Sequence, residues 1–78
     1  MMFQKRKLKK QIKQAKEIIS NLEQKRSRSQ AALVSAILNK EEPKDEEVDY
    51  FNHFSELINL ERERLQALIE EYETLKNK

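Results

Sequence analysis

The sequence contains no glycine, no cysteine and no tryptophan, and only one proline and one histidine among its 78 residues. Without glycine, no residue adopts positive φ at little cost, which argues against tight β-hairpins and excludes a glycine-rich phosphate-binding loop. Without cysteine, there is no disulfide, no thiolate nucleophile and no thiolate metal site. The lack of cysteine fits a reducing compartment, so we expect a cytoplasmic protein.

Long apolar runs are also missing. The longest mostly apolar stretch, residues 31–38, is too short to cross a bilayer, and no apolar segment follows the basic N-terminus as it would in a signal peptide. We therefore expect no transmembrane segment. Apolar residues make up 37% of the chain and charged residues 38%, which at this length leaves too little apolar material for a thick core.

The charges that are present are divided between the two halves of the chain. Residues 1–40 carry 11 positive and 2 negative side chains, whereas residues 41–78 carry 5 positive and 12 negative ones. The net charge of +2 therefore hides a basic half and an acidic half. Opposite charges of this size predict that the two halves attract each other.

Heptad repeats explain most of the chain. Mostly apolar residues recur at alternating steps of three and four, which is typical of the a and d positions of coiled-coil helices. Each half of the chain has a polar interruption near the middle of this pattern. We call the full set of a and d positions the seam: Leu8, Ile12, Ala15, Ile19, Leu22, Arg26, Ser29, Leu33 and Ala36 in the first half, and Phe51, Phe54, Ile58, Glu61, Leu65, Leu68, Tyr72 and Leu75 in the second.

The break between the two repeats lies around Pro43, which disfavours helix at the residue before it. Asp45 is a candidate helix cap, and the acidic residues after it suit a helix N-terminus. We therefore predict a single domain over 1–78, with one helix over about 3–39, a loop over about 40–44 and a second helix over about 45–76. A short loop makes the helices antiparallel, so the predicted fold is an all-α, two-helix antiparallel coiled-coil hairpin.

A register follows from the seam. Placing Ala36 opposite Phe51 makes every layer pair an a position with a d position, as an antiparallel seam requires. The same register brings Arg26 opposite Glu61, which are the two charged interruptions of the seam. We therefore predict that they form a register pair, a structural role that we favour over a ligand-binding one. On the flanks, this register also pairs Glu23 with Arg62 and Ile37 with Val48.

Several apolar residues near the predicted loop lie outside the seam. A two-helix hairpin is marginal on its own, and helix 2 cannot cover all of this surface. We therefore expect a homo-oligomer, with a dimer that forms a four-helix bundle favoured, or a protein partner. The predicted association surface consists of Val34, Ile37, Leu38, Val48, Tyr50, Leu57 and Leu60.

Five basic residues follow one face of the first helix at spacings of three and four. We call them the basic stripe: Arg6, Lys9, Lys10, Lys13 and Lys16. Such a stripe is a candidate phosphate-binding surface for a nucleic acid or an anionic membrane. The alternative, which we favour at this stage, is a solvated face that also attracts the acidic Glu70, Glu71 and Glu73 of the second helix.

Catalysis is not indicated. His53 is the only histidine, and Asp49 and Glu56 could join it on one helix face, but three ligands from one helix make a weak metal site. We expect no enzyme activity, no cofactor and no metal. The predicted function is a small non-enzymatic interaction module, an adaptor, inhibitor or assembly factor that works through helical-bundle contacts. The alternative is a nucleic-acid-binding regulator that uses the basic stripe.

Overall fold

The computed structural model describes residues 2–77 and consists of two long helices. Helix α1 spans Met2–Leu38 and helix α2 spans Asp45–Lys76, and these residues include no β-strand. The helices pack side by side into a rod 57 Å long and 17 by 14 Å across. The predicted all-α helical hairpin is therefore confirmed. Helix α1 runs without interruption through the serine-containing stretch Ser27–Ser29.

The helices are held together along the seam. Every seam residue is buried or half-buried, and Ala15 and Ile58 have no exposed surface. Ser29 is also buried, and the described residues contain no buried side-chain polar atom without a hydrogen-bond partner. The heptad pattern therefore identifies the inner faces of both helices.

The turn after α1 uses a positive φ at a residue that is not glycine. Lys40 has φ 56°. The Lys40 amide donates to the Ile37 carbonyl at 3.1 Å, and the Glu41 amide donates to the Ala36 carbonyl at 2.9 Å. This pair of hydrogen bonds is a Schellman motif, which normally has glycine at the position that Lys40 occupies. The chain therefore makes a glycine-type helix end with lysine, at a cost in backbone strain.

Helix α2 begins with an acidic first turn. Its N-cap is Lys44, whose backbone is extended and whose side chain makes no capping hydrogen bond. Asp45 is the first helical residue, so the expectation that it caps the helix is wrong. Asp45, Glu46 and Glu47 instead place negative charge where the helix dipole is positive, which stabilises the helix end.

The predicted register is wrong by about one heptad. The Arg26 guanidinium does not pair with Glu61: it donates a hydrogen bond of 3.4 Å to the Ser55 hydroxyl and lies over the Phe51 ring. Glu61 instead accepts a hydrogen bond from Arg64 on its own helix, at 3.2 Å. A shift of seven residues keeps every a position facing a d position, so the apolar pattern does not distinguish the two registers.

The connection between the helices explains the shift. After the Schellman turn, the connection over residues 39–44 runs back beside α1, so that α2 begins level with the last turns of α1. Leu33 and Ala36 consequently lie beside Pro43, Lys44 and Glu47, and together they line one hollow.

Candidate interaction surfaces

The hairpin has two long edges on either side of the seam. On the first edge, Arg62 lies 3.8 Å from Glu23, the predicted flanking ion pair, and the Lys9 ammonium lies 5.8 Å from the centre of the Tyr72 ring. On the second edge, Lys25 of α1 lies beside Tyr50 of α2 in a shared groove. Heptad position assigns the remaining surface residues to one edge or the other.

The first edge ends in an apolar patch next to the turn. Ile37 lies two heptads after Glu23, and Val48 lies two heptads before Arg62, so both belong to this edge. Val34 and Leu38 continue the patch onto the outer face of α1. We call this set the outer patch: Val34, Ile37, Leu38 and Val48, which are 48%, 67%, 77% and 37% exposed.

The outer patch adjoins a shallow groove along the outer face of α1. Small side chains form much of the lining, and apolar side chains stand beside them. The lining residues are Ser27, Gln30, Ala31, Val34, Ser35, Leu38 and Asn39. Small residues spaced four apart allow the ridge of another helix to approach closely.

The other three residues of the predicted association surface lie on the second edge. Tyr50 and Leu57 are one heptad apart, and Leu60 lies one turn further along the same side of α2. Tyr50 and Leu60 are exposed, whereas Leu57 is half-buried. The seven predicted residues therefore form two separate surfaces and not one.

An aromatic groove also lies on the second edge, and sequence reasoning had assigned only Tyr50 of it to the surface. The Tyr50 and Phe54 rings stack with centres 5.7 Å apart, and the His53 ring tilts against Phe54 at 5.5 Å. Lys25 and Arg28 of α1 form the opposite wall, in an open groove of about 510 Å³ that Ser29 and Glu47 complete. The signal in the sequence was that Lys25 and Tyr50 stand at positions that flank the seam.

The basic stripe is fully on the surface. Its residues, Arg6, Lys9, Lys10, Lys13 and Lys16, are all exposed. Within residues 2–77 the ion pairs are those of Glu23 with Arg62 and Glu61 with Arg64, so the stripe makes none. The expected attraction to Glu70, Glu71 and Glu73 therefore produces no ion pair across the helices.

The residues considered for metal binding lie on the exposed side of α2. Asp49 and His53 line a shallow hollow with Tyr50 and Phe54, while Glu56 is exposed one turn further on. The described part of the chain contains no group of three or more His, Asp or Glu side chains arranged to hold a metal ion. Neither helix, over the residues described, is long and apolar enough to cross a membrane.

Comparison with protein-family models, with curated proteins and with solved structures finds no match to this chain. The fold defines the class: an all-α hairpin of two long helices, with its candidate interaction surfaces on the outside of a rod.

Proposed function

We propose that the protein is a non-enzymatic interaction module that associates through the outer patch, and that the partner is a second copy of the chain. The observation that carries this proposal is the exposure of Ile37 and Leu38, at 67% and 77%, in a patch drawn from both helices. Contiguous exposed apolar side chains of this kind mark association surfaces.

The groove on the outer face of α1 supports a helical partner. Ala31 and the flanking serines are small, and Val34 and Leu38 supply apolar contact beside them. A helix that packs here would bury the side chains that α2 leaves exposed. The result would be a four-helix bundle made of two hairpins.

Charge favours an antiparallel arrangement of the two copies. Of residues 41–49, six are acidic and one is basic. In an antiparallel two-fold dimer that crosses α1 near Val34, the acidic segments of the two copies would point in opposite directions. A parallel dimer would instead bring the two acidic segments together, where they repel.

The test is the mass of the protein in solution, measured by analytical ultracentrifugation alongside circular dichroism. We expect a dimer for the wild-type chain and a helical monomer for Leu38→Glu, because a buried glutamate without a partner opposes association. Leu60→Glu, on the second edge, and Phe3→Glu, at the far end of α1, add the same charge at exposed apolar positions. Both control variants should remain dimeric.

Three results would overturn the proposal. A wild-type chain that is monomeric at micromolar concentrations removes the second copy as the partner. A Leu38→Glu variant that keeps the dimer mass removes the outer patch as the interface. Dissociation by Leu60→Glu alone moves the interface to the second edge.

A further inference from the structure

The basic end of the rod carries a high and unbalanced positive charge. Residues 5–16 include seven basic residues and no acidic one. The five residues of the basic stripe fall on one exposed face of α1, which continues towards the outer patch. Because the helix rises 1.5 Å per residue, the stripe extends over about 15 Å.

Within residues 2–77, the cations of the stripe form no ion pair with the rest of the fold. Glu17 lies one turn after Lys13 on the same face of α1, but within residues 2–77 it forms no ion pair. On α2, the carboxylate of Glu70 accepts a hydrogen bond from Gln66 at 3.2 Å. Lys9 contacts the face of the Tyr72 ring, which leaves its charge in place. These side chains therefore do not form a solvated face that is held to acidic neighbours by ion pairs.

The shape of this end favours a polyanion over a membrane. A helix that lies in a membrane surface needs a bulky apolar face next to its basic one. Here Leu8 and Ala15 are buried in the seam and Ile12 is half-buried, which leaves Phe3 as the exposed apolar side chain among residues 3–16. Binding to single strands through base stacking would need several exposed aromatics beside the lysines, and Phe3 alone does not provide them.

We propose that the basic stripe binds the phosphodiester backbone of duplex nucleic acid without reading its sequence. Each strand of a duplex carries a phosphate about every 3.4 Å along the axis, so about four phosphates lie within the length of the stripe. The acidic segment at residues 41–49 is repelled by the same phosphates. The rod therefore binds through its basic end and directs its turn away from the nucleic acid.

The experiment measures fluorescence anisotropy of short labelled duplexes at monovalent salt from about 50 to 200 mM. Neutralising about four phosphates gives a slope of about −4 in the logarithm of the association constant against the logarithm of the salt concentration. At about −0.9 per phosphate, the affinity should therefore fall by about 150-fold across this range. In Lys10→Gln/Lys13→Gln the slope should fall to about −2, because each lysine accounts for about one unit.

A matched variant separates the stripe from net charge. Lys25→Gln/Lys44→Gln removes the same two charges from exposed positions outside the stripe, and its slope should stay at about −4. Leu38→Glu should also keep the slope of the wild-type chain, because this proposal does not depend on the association of two copies. The measurement is made with duplex DNA and with duplex RNA. The duplex that binds more tightly identifies which nucleic acid supplies the phosphodiester backbone.

The proposal is overturned by any of three results. The first is the absence of binding at the lowest salt concentration. The second is an equal loss of slope in both double variants, which would assign the effect to net charge. The third is a preference for phosphatidylserine vesicles over duplexes of matched phosphate concentration, which would assign the stripe to a membrane surface.

Discussion

The guanidinium carbon of Arg26 lies 5.7 Å from the centre of the Phe51 ring on the opposite helix. The same guanidinium donates a hydrogen bond to Ser55, one turn further along α2. Arg26 occupies an a position and is half-buried, and this arrangement gives its cation an aromatic face and a hydroxyl as partners. The contact agrees with a register in which α2 begins level with the end of α1.

A double-mutant cycle tests this relationship. Between Arg26→Met and Phe51→Leu we expect a coupling free energy of about 0.5–1 kcal/mol, from the loss of a partly desolvated cation–π contact. Between Arg26→Met and Glu61→Gln the coupling should be near zero, since residues that do not interact give additive effects. Urea denaturation followed by circular dichroism measures both cycles. A larger coupling free energy of Arg26 with Glu61 than with Phe51 would support the register predicted from the sequence.

Ile58 should be among the most sensitive positions in the chain. It is the largest side chain without exposed surface, and Ile→Ala at such sites lowers the free energy of unfolding by about 2–4 kcal/mol. Ile18→Ala is the matched control, because Ile18 is 38% exposed; its loss should be under about 1 kcal/mol. Because a domain of this size has little stability in reserve, both variants should be measured at low temperature. Equal losses at the two positions would contradict the described seam.

Lys40 is a position where glycine should stabilise the protein. At φ 56° its β-carbon opposes the conformation that the Schellman turn requires. Lys40→Gly removes this strain and should raise the free energy of unfolding by about 0.5–1 kcal/mol, even though glycine makes the unfolded chain more flexible. Lys25→Gly, in the middle of α1, should instead lower it by about 1 kcal/mol. A loss of stability in both variants would mean that the turn does not need positive φ.

The sequence was sufficient to predict the helices and their inner faces. The steps of three and four that relate Leu8 to Ala36 and Phe51 to Leu75 mark residues that are all buried or half-buried. The pattern repeats every seven residues, so it could not distinguish registers that differ by one heptad. That choice depends on how sharply the chain turns, and the usual signal for a sharp turn, a glycine after the helix, is absent because Lys40 takes its place.

The arrangement of the exposed apolar residues could be predicted only in part, for a related reason. Apolar residues outside the seam can be read directly from the sequence, and Ile37, Leu38 and Leu60 are indeed exposed. Their division between two edges depends on which flank of α1 meets which flank of α2. The ion pair of Glu23 with Arg62 and the groove that Lys25 shares with Tyr50 establish that division in the folded chain.

The uninterrupted course of α1 has a mechanical consequence. Because no proline, glycine or break interrupts Met2–Leu38, the separation between Lys13 and Leu38 is set by helical rise at about 37 Å. A ligand bound at the basic end and a ligand bound at the turn end would therefore be held at a constant distance from each other. Inserting seven residues at matching heptad positions in both helices would lengthen that spacing by about 10 Å while keeping the two faces aligned.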